Sequence, residues 1–178
     1  MHPVLLRLAE GDTPGTLGHA RAVAEEVVTH PDLVEVLVDA LAHDEEGLRN
    51  RAAIALDRAA RHDPRPLAPF AGALLDAAEA DRPGGALRRL LPLLLSRVPF
   101  DVESAHRLVD HAAHWLRTEP SAVRANALDA LVAVVHQHPS LLERVRPSVE
   151  AALDHPAPSV RARARRQCAR LDRLTEAD

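Results

Sequence analysis

Glu119-Pro-Ser-Ala-Val-Arg-Ala-Asn-Ala-Leu-Asp-Ala-Leu-Val-Ala-Val-Val-His-Gln137 is the stretch whose reading decides the fold. A Pro-Ser turn runs into Val123-Arg124, then Ala127, then a long apolar run. Val123, Ala127, Ala130, Leu131 and Val134 recur in steps of three and four, which puts them on one face of a helix. The same order of turn, apolar residue and Arg returns at Leu48-Arg49, Leu87-Arg88 and Val160-Arg161. These arginines are separated by 39, 36 and 37 residues. Leu17-Gly18 holds the corresponding place 31 residues before Arg49, without the Arg.

Outward from that stretch, Pro and Gly clusters cut the chain into helical segments taken two at a time. The pairs are 2–10 with 13–29, 31–42 with 45–62, 65–79 with 84–98, 101–117 with 120–137, and 140–153 with 157–174. Gly11-Asp-Thr-Pro-Gly15 and Asp81-Arg-Pro-Gly-Gly85 are the breaks inside the first and third pairs. Pro31, Pro64, Pro99 and Pro139 stand at pair boundaries, where a missing N–H loses no intrahelical bond. Leu33, Val34, Leu37, Val38 and Leu41 form a second clear stripe. A lone helix hairpin cannot bury its apolar face, so hairpins recurring near every 37 residues must stack on one another. The expected architecture is all-α: a single 178-residue domain built as an α-solenoid of about five antiparallel pairs. Its units are about 1–29, 31–62, 64–98, 101–138 and 139–174.

Composition agrees and excludes alternatives. With aromatics at 2% and no Tyr, the core must be Leu, Val and Ala, which suits helices rather than a β-sandwich. All 22 basic residues are Arg, a coding bias of GC-rich bacterial genomes. The net charge of −4 argues against a generally basic nucleic-acid binder. Charge is uneven, however: residues 1–46 carry net −8, leaving +4 for the rest. The single Cys168 excludes an intrachain disulfide and a cysteine-based zinc site. No apolar run has the length of a signal peptide or a membrane span, so a cytoplasmic chain is expected.

Asp154-His-Pro-Ala-Pro-Ser-Val-Arg-Ala-Arg-Ala164 resembles the centre of a HEAT repeat, in which an Asp turn leads to Val-Arg-x-x-Ala at the start of the second helix. Thr118-Glu-Pro-Ser-Ala-Val-Arg-Ala-Asn-Ala127 is similar, with Glu119 for the Asp, and His43-Asp-Glu-Glu-Gly-Leu-Arg-Asn-Arg-Ala52 follows more loosely. The 81–91 unit departs, with Leu91 where Ala is usual. The chain is thus similar to the HEAT-repeat family (HEAT-like or PBS-lyase type) over nearly its whole length. The resemblance implies a right-handed superhelix whose second helices bind protein partners along a concave face. It also implies structural pairing between repeats of Asp44, Asp81, Glu119 and Asp154 with Arg49, Arg88, Arg124 and Arg161.

Projection at 100° per residue from the Arg slot selects the side chains turned toward such a partner. They are Val23 in the first unit, Asn50, Ile54, Asp57 and Arg61 in the second, and Arg89, Leu93 and Ser96 in the third. Asp129, Val132 and His136 follow in the fourth, and Arg166 in the fifth. Val23, Ile54 and Leu93 share one register; they either form an apolar row for a partner helix or are buried by neighbouring repeats. Pro92 projects with Arg88, Arg89 and Ser96 on the polar side and should bend its helix.

Other constellations have bland readings beside them. His106-x3-Asp110-x3-His114 has metal-ligand spacing, but it projects as a solvated face, and no metal or cofactor is assigned. His30, His43, His62 and His138 fall at helix ends, where imidazolium interacts well with C-terminal carbonyls. Six Arg in 159–173 make either a polar capping face or a phosphate-binding surface. Neither a nucleophile elbow nor a phosphate loop is present. The expected function is a non-catalytic scaffold for a protein or peptide partner, with no membrane role. The alternative is a nucleic-acid-binding or DNA-glycosylase-like HEAT protein, with Asp57 or Asp129 as acid and Trp115 as the only Trp. An accessory lyase of the bilin-lyase HEAT type has no diagnostic residue here.

Overall fold

The computed structural model describes residues 1–10, 17–80 and 87–176. Both Gly-rich breaks expected inside the first and third pairs lie outside them. Ten α-helices occupy the described residues, and they pair as the period requires. They gather into two compact units, Met1–Pro99 and Phe100–Asp178.

The first unit holds α1 (Pro3–Ala9), α2 (Ala20–Thr29), α3 (Leu33–Asp39), α4 (Glu46–Ala60), α5 (Ala71–Ala80) and α6 (Leu87–Leu95). A 3-10 turn at Ala40–Ala42 closes α3, and another at Arg65–Phe70 leads into α5. Helix α4 is the centre, packing on α1, α2, α3 and α6. Contact on several sides explains its composition. Ala52, Ala53, Ala55, Ala59 and Ala60 are all buried, because only small side chains let helices approach on more than one face. The stripe Leu33, Val34, Leu37, Val38 and Leu41 is buried as its spacing requires.

Pro92 and Arg88 are buried, not on the polar side of α6. A nine-residue helix with neighbours on two sides buries most of its circumference, so projection from one register misassigns these two. The Arg88 guanidinium donates to the Ala78 carbonyl at the end of α5, 3.1 Å away, which makes its burial tolerable.

Arg51 is the other buried cation among the described residues, with 1% exposure. Its guanidinium donates to the carbonyls of Leu8 and Ala9 at the C-terminus of α1 and lies 3.5 Å from Glu45. Space for it comes from two glycines. A Cβ at Gly47 would fall 2.9 Å from its Nη2, and one at Gly18 would fall 3.1 Å from its Cδ. Gly18 also has φ +44, a left-handed conformation that glycine adopts without strain. The degenerate first repeat is thus fastened to the second by a buried arginine in place of its own.

The second unit holds α7 (Val102–Thr118), α8 (Ser121–Gln137), α9 (Leu142–Ala151) and α10 (Pro158–Thr175). Asp101 caps α7, its carboxylate accepting from the Ser104 N–H at 2.7 Å. Pro158 opens α10, where its missing N–H loses nothing. Helix α8 is central here, against α7, α9 and α10. Val123, Ala127, Ala130, Leu131 and Val134 are buried, and so are Ala125, Leu128, Val132 and Val135 on its other sides. Trp115 of α7 is fully buried, edge-on to His111 with ring centroids 4.3 Å apart.

Candidate functional site

The second-helix face of the first unit is built from α2, α4 and α6. Val23 is fully buried, so it packs the core and offers no surface. Asn50 is buried as well. Ile54 and Leu93 are half-buried, Arg61 and Arg89 are exposed, and Ser96 is half-buried with its hydroxyl donating to the Leu93 carbonyl. Asp57 is buried and held by two arginines: Arg61 one turn on at 2.7 Å, and Arg97 from the third repeat at 2.6 Å. Asp57 is therefore a tie between repeats. With one carboxylate between two guanidinium groups, the cluster keeps a net positive charge.

The second unit repeats this logic on α8 and α10. Val132 is fully buried beneath the face. Asp129 accepts from Arg163 and from the Gln167 amide, both on α10. Arg166 and His136 are exposed. Partial desolvation on its inner side lowers the His136 pKa, and Arg170 and Arg173 lower it further by their charge. Burial, with Arg166 beside it, likewise pushes Arg163 down. Arg166 thus acts on Arg163, while Arg170 and Arg173 act on His136, and Asp129 pairs with Arg163. In both units the acid that projection assigned to a partner is spent on the repeat interface, and the cations face outward.

Arg49, Arg124 and Arg161 do not follow the carboxylate pairing that the HEAT resemblance implies. Each donates to main-chain carbonyls of its own turn: Arg49 to His43 and Asp44, Arg124 to Glu119 and Arg117, Arg161 to His155 and Pro156. Carbonyls at the end of a first helix lack intrahelical donors, and a long guanidinium reaches them from the next helix. Arg124 also reaches the following repeat, with Nη1 2.9 Å from His155 Nε2.

Of the histidines expected as helix-end cations, His43 acts differently, and His2 and His155 share its geometry. His2, His43 and His155 each accept, at Nδ1, the backbone N–H two residues on, at 3.3, 3.1 and 3.0 Å. Only an unprotonated nitrogen can do this, so these rings imitate the Asn or Asp of an Asx turn. Two crevices open at this turn edge in equivalent places. One, of about 340 Å³ in the first unit, is lined by Leu41, His43, Arg49, Ala77 and Leu87 among others. The other, of about 270 Å³ in the second unit, is lined by Leu116, Arg124, Ala152, His155 and Val160 among others.

On α7, Arg144 from α9 bridges His106, 2.8 Å from Nδ1, and Asp110. A cation already occupies two of the three groups with metal-ligand spacing. Among the described residues no cluster of potential ligands is arranged to hold a metal ion. Burial raises the Cys168 thiol above its ordinary pKa, and Glu150 and Asp172 add to this, so it is a poor nucleophile. No described helix is long and apolar enough to cross a membrane.

No protein-family model matches the chain, and no curated protein matches it in sequence. Solved structures do match. Two engineered proteins from the Northeast Structural Genomics Consortium superpose with TM-scores of 0.68 and 0.67, at 21% and 18% identity, over 95% and 96% of this chain and 80% of each of theirs. A designed armadillo repeat protein in complex with the peptide (KR)4 superposes with a TM-score of 0.67 at 15% identity, over 95% of this chain and 80% of its own. At these identities the likeness carries the fold, which is an all-α helical-repeat solenoid.

Proposed function

We propose that the chain is a non-catalytic helical-repeat scaffold of HEAT type, which binds an acidic protein or peptide segment on the concave face formed by its second helices. The observation that carries this reading is the use of Asp57 and Asp129 in ties between repeats. The exposed cations are then Arg61 and Arg89 on the second helices of the first unit, and His136, Arg166 and Arg173 on those of the second. In the first unit, half-buried Ile54 and Leu93 supply apolar contact beside Arg61 and Arg89. The peptide complex of the designed armadillo protein supports peptide binding by such a fold; its ligand is basic, whereas this face is suited to the opposite charge.

Glutamate-rich and lysine-rich peptides of equal length, titrated at two salt concentrations, test the proposal. Binding of the acidic peptide alone, weakening with salt and lost in the Arg166→Glu, Arg173→Glu double variant, is the expected result. Preference for the lysine-rich peptide would refute it. The arginine strip also favours a second reading, in which the anion is nucleic acid. Burial of Trp115 removes the chain's Trp as a wall for a flipped base, which counts against the glycosylase form of that reading. Tighter salt-dependent binding of single- or double-stranded DNA than of the acidic peptide would select it.

A further inference from the structure

The crevice at the turn edge of the second unit contains a conflict between hydrogen-bond donors. A neutral imidazole has one N–H and one lone pair. The Ala157 N–H points at His155 Nδ1, 3.0 Å away, and when it takes that lone pair the ring proton sits on Nε2. Nε2 faces Arg124 Nη1 at 2.9 Å. Arg124 cannot turn away easily, because its Nε and Nη2 donate to the carbonyls of Glu119 and Arg117. In that tautomer two N–H groups, one of them on a full cation, are held against each other at the edge of an open crevice of about 270 Å³.

We propose that this crevice is a binding site for a carboxylate whose oxygens accept from Arg124 Nη1 and His155 Nε2. An acceptor between them turns a repulsive contact into two charge-assisted hydrogen bonds. Beside Arg117 and Ser148, the remaining walls are Ala113, Leu116, Ala151, Ala152 and Val160, whose apolar surface suits a short aliphatic tail. The carboxylate could come from a small organic acid or from a peptide C-terminus; both present the same group. The site lies at the turns, and it stands or falls separately from the acidic-peptide reading of the second-helix face.

The test is a titration of the ¹⁵N-labelled protein, watching the His155 ring nitrogens by long-range ¹H–¹⁵N correlation. The ligand-free ring is expected as the Nε2–H tautomer, and butyrate is expected to move Nε2 saturably, with no such shift from butyramide. His155→Asn keeps an acceptor for the Ala157 N–H but removes the Nε2 donor. It should weaken butyrate binding at least tenfold, about 1.4 kcal/mol. Ser148→Leu should fill the crevice and abolish binding while the protein stays folded. Acetyl-Ala-Leu with a free carboxylate, compared with its amide, distinguishes the sources. Tighter binding of the free dipeptide than of butyrate supports a chain terminus, and equal or weaker binding supports a small acid. An Nδ1–H tautomer in the free protein, equal response to butyrate and butyramide, or unchanged affinity in both variants would overturn the proposal.

Discussion

Gly47→Ala should change sign with the residue at position 51. In the middle of an exposed helix turn, Gly→Ala stabilises by about 0.5–1 kcal/mol, because glycine loses more backbone freedom on folding. At position 47 the new Cβ would fall 2.9 Å from Arg51 Nη2 and 3.0 Å from Nη1. The guanidinium must then shift within a closed pocket, at the expense of its hydrogen bonds to the carbonyls of Leu8 and Ala9. A hydrogen bond to a charged group is worth about 1.5–3 kcal/mol, so losing one outweighs the propensity gain and leaves a net cost of about 1–2 kcal/mol. Arg51→Leu alone should cost about 3 kcal/mol, since two helix-end carbonyls and the Glu45 pair lose their donor. In the Arg51→Leu background the obstruction is gone, and Gly47→Ala should stabilise by about 0.5–1 kcal/mol. Urea unfolding followed by far-UV circular dichroism gives the four corners of the cycle, and hydrogen exchange at Leu8 shows whether α1 detaches. If Gly47→Ala has the same effect in both backgrounds, within about 0.5 kcal/mol, the buried arginine does not fasten the first repeat.

Three further outcomes are expected. Asp129→Ala should destabilise the second unit by about 2 kcal/mol, less than a fully buried pair because Arg163 is one-quarter exposed, and Trp115 fluorescence during denaturation would report it. His136 has a folded-state pKa below 6.5, so its contribution is complete above pH 6.5 and is lost as pH falls through the depressed value; His136→Gln should flatten that part of the stability–pH curve, whereas an unchanged slope would count against the Arg170 and Arg173 field. His43→Ala should cost about 1 kcal/mol by stranding the Glu45 N–H, and His43→Asn should restore most of it by thermal melt; equal losses would mean that the ring is not acting as the acceptor.

The repeat was legible because stacking leaves a periodic trace. The Val-Arg-x-x-Ala slot marks the start of a second helix, and α4, α6, α8 and α10 begin within a few residues of where that slot put them. The partner-facing residues were less legible. Projection treats each helix as having one buried face, but α4 and α8 each pack against more than two others, so Val132 and Asn50 are buried where a single-faced helix would expose them. Val23 on α2 is buried too. Arg51 gave no signal, because nothing in Leu48-Arg-Asn-Arg51 says which arginine turns inward; Gly18 and Gly47 leave room for it, and they become neighbours only in three dimensions.

By itself, then, the chain's sequence determined the helix pairs, their period, the Leu-Val-Ala core and the proline-marked boundaries, all of which follow from local spacing and propensity. Tertiary structure alone decided what the charged and imidazole groups do. Asp57 meets Arg97 across 40 residues, Asp129 meets Arg163 across 34, and Arg124 meets His155 across 31. Whether a carboxylate is used up in a tie, or a cation is left facing solvent, depends on which partner the stacking brings within hydrogen-bond reach, and no local pattern carries that information.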